Sequence, residues 1–308
     1  MSDKPSFSFA DLLKKKKKEV KKPETAMDQT ISWIKTILGA IIVVMFINGA
    51  AIASFVVPTG SMEKTVMTGD FLFVNKFIYG PTTPQLIPFL NIPLKFYKFP
   101  GIKEPERNDV IVFIYPGDRD EAEPAEFVYY LKRCVATAGD TLEILNKKLI
   151  VNGKEQKLPE HGLYDRSLPI YPGDKQRTFP AGMNYNRDNY GPIRIPKKGD
   201  KIQINPQNIR QWDVFLTREG HEVTSTSTNV YLDGKIVTEY KVKRDYCFAM
   251  GDNRDNSLDS RYWGFVPFDN VVGTPIVVYW SWDTNIPFAK FFDKLSSVRL
   301  SRIGTLIN

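Results

Sequence analysis

The sequence predicts a mainly β protein: an antiparallel β domain with an inserted β subdomain, preceded by one N-terminal transmembrane helix. Three observations support this prediction. After about residue 57, short β-branched and aromatic runs alternate with turn-forming residues, as in "DFLFVNKF" and "TPIVVYWSW". The pairs Asn152-Gly153 and Asp233-Gly234 stand between apolar runs, as type I′ hairpin turns do. One uncharged run near the N-terminus is long enough to cross a bilayer.

The uncharged run extends from Ile37 to Val57, and its 21 residues would form roughly 31 Å of helix. The basic stretch "KKKKKEVKK" precedes it, and basic flanks stay in the cytoplasm, so we expect the rest of the chain across the membrane. The alternatives are a core helix of a soluble domain and a cleaved signal peptide, for which Ala51-Ile52-Ala53 offers a cleavage pattern. The run and the tail before it are too long for a signal peptide, which favours an uncleaved anchor.

The composition divides the chain into five parts. The region from Gly80 to Pro105 is too rich in proline for a second membrane helix, and its aromatic residues fit either a membrane surface or a packed loop. The predicted parts are a cytoplasmic basic tail (1–30), the transmembrane anchor (31–56), the main β domain (57–146 and 246–285), the inserted β subdomain (147–245) and a C-terminal amphipathic segment, interpreted as a surface helix (286–308).

The charge distribution argues against nucleic acid as a partner. Of the net charge of +7, residues 1–35 contribute a surplus of nine lysines over five acidic residues, so the remainder is close to neutral. Cys134 and Cys247 have no metal-site spacing. We expect two buried thiols, with a disulfide bridge as the alternative.

Ser61, in "VVPTGSMEKTVMTGD", is a candidate nucleophile that needs a neighbouring base. The two histidines, His161 and His221, lie in polar stretches of the insert and resemble exposed loop residues. A buried lysine is the other available base, because burial lowers the pKa of its ammonium group. Lys132 fits, since "FVYYLKRCVA" surrounds it with apolar residues, although a lysine in a strand can also simply point to solvent. Lys64 is near Ser61 in sequence, but beside Glu63 in a turn we expect it to be solvated and protonated.

A third stretch, "MGDNRDNSLDSRYWGFVP" at residues 250–267, crowds polar side chains against aromatic ones. Asn, Asp and Ser at this density hold a loop by bonding its own backbone. A hydroxyl here could also bond the amine of the lysine and fix its conformation.

Together, "PTGSM", "YLKR" followed by "AGD", and "GDNRDNSLDSRYWGFVP" resemble the bacterial type I signal peptidases, which are membrane-anchored proteases with a Ser-Lys dyad. The resemblance runs in the same order from the anchor to about residue 280. One departure is Lys64, where the family usually has proline, so the turn after the nucleophile is expected to be looser.

The resemblance implies a role for each matching residue. Ser61 would be the nucleophile and Lys132 the general base, with the Ser61 N–H and the Thr59 hydroxyl as oxyanion donors. Ser257 would orient the lysine, and Asp259 and Arg261 would form a structural pair. Other loop residues taken as structural are Asp252, Asn253 and Arg254, and the candidate pocket residues are Phe55, Val57, Pro58, Met62, Tyr130 and Leu131.

The implied activity is removal of signal peptides from exported preproteins after an Ala-x-Ala pattern, through an acyl-enzyme, with neither metal nor cofactor. We expect a monomer in the bacterial inner membrane, with the N-terminus in the cytoplasm, the catalytic domain on the outer face and the lipid bilayer as its other partner. Two rival hypotheses are a Ser-Lys self-cleaving repressor, which would need a DNA-binding domain in place of the anchor, and an anchored adaptor that binds exported proteins without cutting them.

Overall fold

The computed structural model describes residues 26–87, 92–164 and 177–307. Most of the predicted basic tail, part of the predicted insert and the final residue lie outside this range. The chain divides into two compact units at Val44 and Met45. The strands of the second unit confirm the prediction of a mainly β, antiparallel fold.

The first element is helix α1 (Ala26–Ala50), which contains the uncharged residues that the sequence singled out. Its segment Gln29–Gly49 has a mean hydropathy of 2.1 and is, within the described ranges, the one helix long and apolar enough to cross a membrane. The helix ends seven residues before the apolar run does, at Ala50 rather than Val57. Ile52–Val56 form strand β1 instead, since this segment pairs with a neighbouring strand, and the buried Ala53 lies within it.

A seven-stranded sheet forms the main β domain, in the order β1-β2-β18-β5-β6-β16-β17. Alternate residues of its second strand are buried, the pattern of a strand with one face on a core. The long eighteenth strand pairs with β2 along one part and β5 along another, and so joins the two halves of the sheet. The strands after β1 are β2 (Asp70–Asn75), β5 (Val110–Ile114), β6 (Tyr129–Thr137), β16 (Tyr246–Met250), β17 (Val266–Pro267) and β18 (Val271–Ser281).

The chain between β6 and β16 forms smaller sheets of its own, as expected for an inserted β subdomain. The predicted boundary at residue 147 falls inside the first hairpin of this region, so its strands already begin at Thr141. These strands are β7 (Thr141–Leu145), β8 (Lys148–Val151), β9 (Lys154–Glu155), β10 (Tyr190–Arg194), β11 (Lys201–Gln203), β12 (Val223–Ser225), β13 (Val230–Leu232), β14 (Lys235–Val237) and β15 (Glu239–Lys241), together with helix α2 (Ile209–Arg218).

The two predicted hairpin turns are confirmed. Asn152 and Gly153 have φ of 52° and 75° between β8 and β9, and Asp233 and Gly234 have φ of 52° and 76° between β13 and β14. Positive φ at both central residues is what a type I′ turn requires, and it matches the twist of the flanking strands.

The remaining elements are short. Strands β3 (Leu86–Ile87) and β4 (Ile92–Pro93) form a separate pair within the proline-broken region. Helix α3 (Ser260–Trp263) follows β16. The C-terminal segment contains a six-residue helix, α4 (Phe291–Ser296), two 3₁₀ turns (Phe288–Lys290 and Leu300–Arg302), and then a stretch that pairs with β18 through Leu306 and Val277. Within residues 286–308, the expected surface helix is limited to the six residues of α4, and residues 304–307 bond to the backbone of β18 instead.

Candidate active site

Ser61 lies in a tight 3₁₀ turn (Gly60–Met62) just after β1. Ser61 is only 9% exposed, and the buried side chain of Met62 packs into the core beside it. The turn is also tied to the 250–267 loop: the N–H of Asn253 donates to the carbonyl of Ser61 at 3.0 Å, and the Asn253 amide donates to the carbonyl of Gly60 at 3.1 Å. The hydroxyl of Ser61 is thereby held in a fixed place beside β6.

Lys132 reaches Ser61 from the middle of β6, where it pairs with Ile111 of β5 and is 4% exposed. Its Nζ lies 2.8 Å from Ser61 Oγ and 3.1 Å from the carbonyl oxygen of Leu131. The rings of Tyr130 and Trp263 lie beside the amine, with centroids 5.4 and 6.0 Å from Nζ. The predicted pair of Ser61 and Lys132 is thus in direct contact.

Burial lowers the pKa of Lys132 from 10.5 to about 8, and the charges of Asp259 and Asp252 oppose this shift without cancelling it. A pKa near 8 leaves a useful fraction of neutral amine at neutral pH, and a neutral amine can accept the proton of a hydroxyl. Neither histidine plays this part here: His221 bonds Asp233 at 2.6 Å in the insert, and His161 is exposed.

Asp252 connects the strand that bears the lysine to the turn that bears the serine. Its fully buried carboxylate accepts two hydrogen bonds from Arg133, at 2.9 and 2.8 Å, and one from the hydroxyl of Thr65 at 2.6 Å. Both partners were missed as site residues by the sequence analysis. Arg133 directly follows Lys132, and this adjacency was the only signal available for it.

Asp259 and Arg261 form the expected buried pair, with two hydrogen bonds of 2.9 and 2.8 Å. Burial alone would raise the pKa of Asp259, but the guanidinium of Arg261 and the N–H of Gly251 outweigh it and lower that pKa. Arg261 also donates to the carbonyl oxygen of Arg254, whose guanidinium lies over the ring of Tyr164. The pair therefore fixes the path of the loop rather than touching the dyad.

The two remaining predicted polar residues lie close to the dyad. Thr59 Oγ1 is 3.5 Å from Ser61 Oγ. The hydroxyl of Ser257 is buried and has no hydrogen-bond partner among the described residues, so the expected bond to Lys132 is not formed here. A Cβ at Gly251 would lie 2.2 Å from Ser257 Oγ and 2.5 Å from the carbonyl oxygen of Ser61, so only glycine fits between them.

Lys64, the departure from the family pattern, is exposed and has φ of 74°. With Glu63 before it at φ −51° and ψ 142°, it forms a type II turn that is closed by the Thr65 N–H to the Met62 carbonyl at 3.1 Å. Proline cannot adopt this φ.

A cavity of about 530 Å³ opens beside the dyad and contains Ser61, Lys132, Thr59 and Ser257 in its wall. All six predicted pocket residues line it. The sequence analysis did not select several other residues of the wall, since their only signal was a place in an apolar strand or near a motif. These residues are Leu72, Val112, Tyr129, Asp255, Asn256, Leu258 and Tyr262.

Cys134 and Cys247 are free and fully buried on the neighbouring strands β6 and β16. The expectation of two buried thiols is confirmed, and the alternative of a disulfide bridge is not formed.

A serine hydroxyl in contact with a buried amine, beside a cavity, is an arrangement suited to a hydrolase with a serine nucleophile. A family model described as "Signal peptidase, peptidase S26" matches residues 30–280, so the chain belongs to this family. It is a serine endopeptidase, and its N-terminal apolar helix fits a membrane anchor.

Several curated proteins named signal peptidase I are similar to this chain. The protein from Helicobacter pylori is 30% identical over 262 residues, covering 81% of each chain. The protein from Aquifex aeolicus is 31% identical over 254 residues, covering 78% of this chain and 80% of its own. The protein from Rickettsia typhi is 32% identical over 262 residues, covering 81% and 83%.

A solved structure of a signal peptidase I from Enterococcus faecalis is also similar, with 20% identity and a TM-score of 0.29. It covers 56% of this chain and 97% of that one.

Proposed function

We propose that the chain removes signal peptides from exported preproteins with Ser61 as the nucleophile and Lys132 as the general base. The observation that carries this proposal is the 2.8 Å contact between Lys132 Nζ and Ser61 Oγ, made by a lysine whose pKa burial lowers to about 8. Contact and neutrality together are what an amine needs to activate a hydroxyl.

The reaction is acyl transfer in two stages. Neutral Lys132 takes the proton of Ser61 as Oγ attacks the scissile carbonyl, and the resulting ammonium gives a proton to the departing amine. The neutral lysine then takes a proton from the water that attacks the acyl-enzyme, and it returns this proton to Ser61 Oγ as the acyl bond breaks and the carboxylate product leaves. Every proton transfer passes through Nζ, so no second base is needed.

Two hydroxyls support these steps. The Ser61 N–H and the Thr59 hydroxyl donate to the oxyanion of each tetrahedral intermediate, and removing one such donor costs about 10²- to 10³-fold in kcat. Ser257 lines the same cavity. Once Ser61 is acylated it no longer has a proton to share, and the free hydroxyl of Ser257 is then available to hold Lys132 in place.

The apolar cavity suits the small side chains of an Ala-x-Ala pattern. We propose that the peptide lies as an added strand along β1, which is an edge strand of the seven-stranded sheet. The basic tail holds the N-terminus in the cytoplasm and leaves the second unit on the outer face of the bacterial inner membrane, where the enzyme acts as a monomer.

The test is cleavage of a preprotein bearing an Ala-x-Ala site by the full-length protein in detergent. The variants are Ser61→Ala, Lys132→Ala and, as the control for a lysine near Ser61 in sequence, Lys64→Ala. We expect loss of cleavage with the first two changes and retention with the third, and N-terminal sequencing of the product should place the cut after the second Ala.

Retained cleavage in Lys132→Ala would overturn the dyad. If the parent protein binds the preprotein but never cuts it, and Ser61→Ala binds equally well, the chain would be an adaptor. A cut at another sequence would leave the dyad intact and overturn the proposed specificity.

A further inference from the structure

A second cavity, of about 240 Å³, lies next to the one that contains the dyad. Phe55 and Tyr129 line both cavities, and their rings meet edge to face with centroids 5.0 Å apart. These two side chains form the wall between the cavities. The wall of the second cavity contains a polar cluster, called here the polar floor.

The polar floor consists of the buried Lys76 and Gln85 and the partly buried Tyr129. Lys76 Nζ donates to Gln85 Oε1 at 2.9 Å, and the hydroxyl of Tyr129 donates to the same oxygen at 2.7 Å. Lys76 is 3% exposed and Gln85 is 4% exposed. Because two donors converge on the carbonyl oxygen, the orientation of the Gln85 amide is fixed by its neighbours.

This orientation leaves the NH₂ group of Gln85 without a hydrogen-bond partner among the described residues. A buried donor without an acceptor is destabilising, because nothing replaces the hydrogen bond that it made to water. Gln85 lines the second cavity, together with Ser54 and Asn48. A group that enters the cavity with a free lone pair would satisfy the amide.

Strand β1 leads from this cavity to the dyad. Ala53 and Ser54 line the second cavity, Phe55 lines both, and Val56 and Val57 line the first. A peptide that extends along this edge strand toward Ser61 would pass the second cavity, and alternate residues of an extended peptide face the same side. A side chain two positions from the one beside Phe55 would then face the Gln85 amide.

We propose that the second cavity is a substrate subsite that binds a hydrogen-bond-accepting side chain of the preprotein, such as Gln, Asn, Ser or Thr, through the Gln85 amide. The inference rests on the proposed function, since it assumes a peptide bound along β1. Lys76 and Tyr129 are positioning residues that hold the amide. Because the floor presents donors and a cationic ammonium, a lysine or arginine side chain is excluded from it.

The test uses a series of preproteins with one Ala-x-Ala site, in which each residue before the site is in turn Gln, Leu or Lys. The quantity measured is the ratio of kcat/KM between the Gln and Leu substrates within one enzyme, so that partial loss of folded protein cancels. We compare the parent protein, Gln85→Leu and the matched control Gln207→Leu, an exposed residue of the insert.

At one substrate position, we expect the parent and the Gln207→Leu variant to have a kcat/KM about 5- to 30-fold higher for Gln than for Leu, which is the contribution of one buried hydrogen bond. Both should reject Lys at that position. Gln85→Leu should abolish or reverse that preference, mainly through KM. Equal ratios in the parent and Gln85→Leu at every position would overturn the inference while the proposed function stands. A parent protein that cleaves no member of the series would overturn both.

Discussion

The cavity with the dyad and the second cavity each contain a buried lysine whose pKa burial lowers to about 8, Lys132 in one and Lys76 in the other. Their partners differ. Lys132 donates to a serine hydroxyl, which can become a nucleophile, whereas Lys76 donates to an amide oxygen, which cannot. Burial therefore raises the fraction of neutral amine in both places, and only the neighbouring group decides whether that amine can take part in a reaction.

The largest effect should come from exchanging these lysines for methionine. Lys132→Met should lower kcat by at least about 10³-fold, because it removes the proposed general base. Lys76→Met should leave the chemical step in place and raise KM about 2- to 10-fold for substrates that reach Gln85, because only the amide loses its support. Steady-state kinetics on a folded fraction verified by circular dichroism would separate the two.

Lys98 provides the control for the loss of a lysine as such. Burial also lowers its pKa to about 8, but its Nζ donates to the backbone carbonyls of Phe268 and Val271 at 2.8 and 2.6 Å. Lys98→Met should therefore change neither kcat nor KM for the folded protein. If it were as inactive as Lys132→Met, the contrast between the two cavities would have no catalytic meaning.

A second way to distinguish the roles of the two cavities is to shift the position of Ser61 while leaving Ser61 and Lys132 themselves unsubstituted. In Gly251→Ala the new Cβ would meet Ser257 Oγ at 2.2 Å and the Ser61 carbonyl oxygen at 2.5 Å, so the loop or the turn must shift. A displacement near 1 Å costs about 10²-fold in rate. We expect a loss of that order in kcat with an unchanged Gln-to-Leu substrate ratio, whereas Gly39→Ala, which meets nothing within 4 Å, should be silent.

The fold was predictable where its signals are local. The Asn152-Gly153 turn and the alternating strand from Asp70 to Asn75 can be read within a few residues, and both are confirmed. The end of α1 was not predictable, since "IASFV" is as apolar as the helix before it and becomes a strand only through pairing with β2. An apolar run alone does not distinguish a lipid-facing helix from an edge strand.

The candidate site divides in the same way. Ser61 and Lys132 were selected from motifs, and the structure places them in contact although they are 71 positions apart. The pairing of Arg133 with Asp252 joins residues 119 positions apart, and nothing in the local sequence indicates it. The Lys76–Gln85–Tyr129 cluster was not foreseen either, because each member alone resembles an ordinary polar residue in a strand or loop.

The pH dependence of the reaction distinguishes the two lysines more finely. With a Leu substrate that makes no bond to Gln85, kcat/KM should follow Lys132 alone. The neutral lysine is the active form, so activity should be constant well above pH 8 and fall about tenfold per pH unit below it, as the amine is protonated. A rate profile between pH 5.5 and about 9.5 would check this.

Lys76 donates to Gln85 in either protonation state, so its titration should not affect the rate. The Lys76→Met variant should therefore show the same pH profile as the parent. If the fall of kcat/KM on the acid side shifted to another pH or disappeared in this variant, the titrating group would lie in the second cavity.

The smallest effect concerns Lys64, an exposed lysine that lies just after the 3₁₀ turn containing Ser61 and makes no hydrogen bond to that turn among the described residues. Its φ of 74° is unfavourable for any residue with a Cβ, by about 1–2 kcal/mol. Lys64→Gly should therefore raise the free energy of unfolding by up to about 1 kcal/mol, since the greater freedom of glycine in the unfolded chain offsets part of the gain. Lys64→Pro should lower it, because proline requires a negative φ. Urea unfolding of the detergent-solubilised protein would measure both changes.

Activity per folded molecule should be the same in Lys64→Gly as in the parent, because an exposed lysine cannot replace one whose pKa burial has lowered. A large loss of kcat in Lys64→Gly at full stability would show that proximity to Ser61, and not burial, is what selects the base.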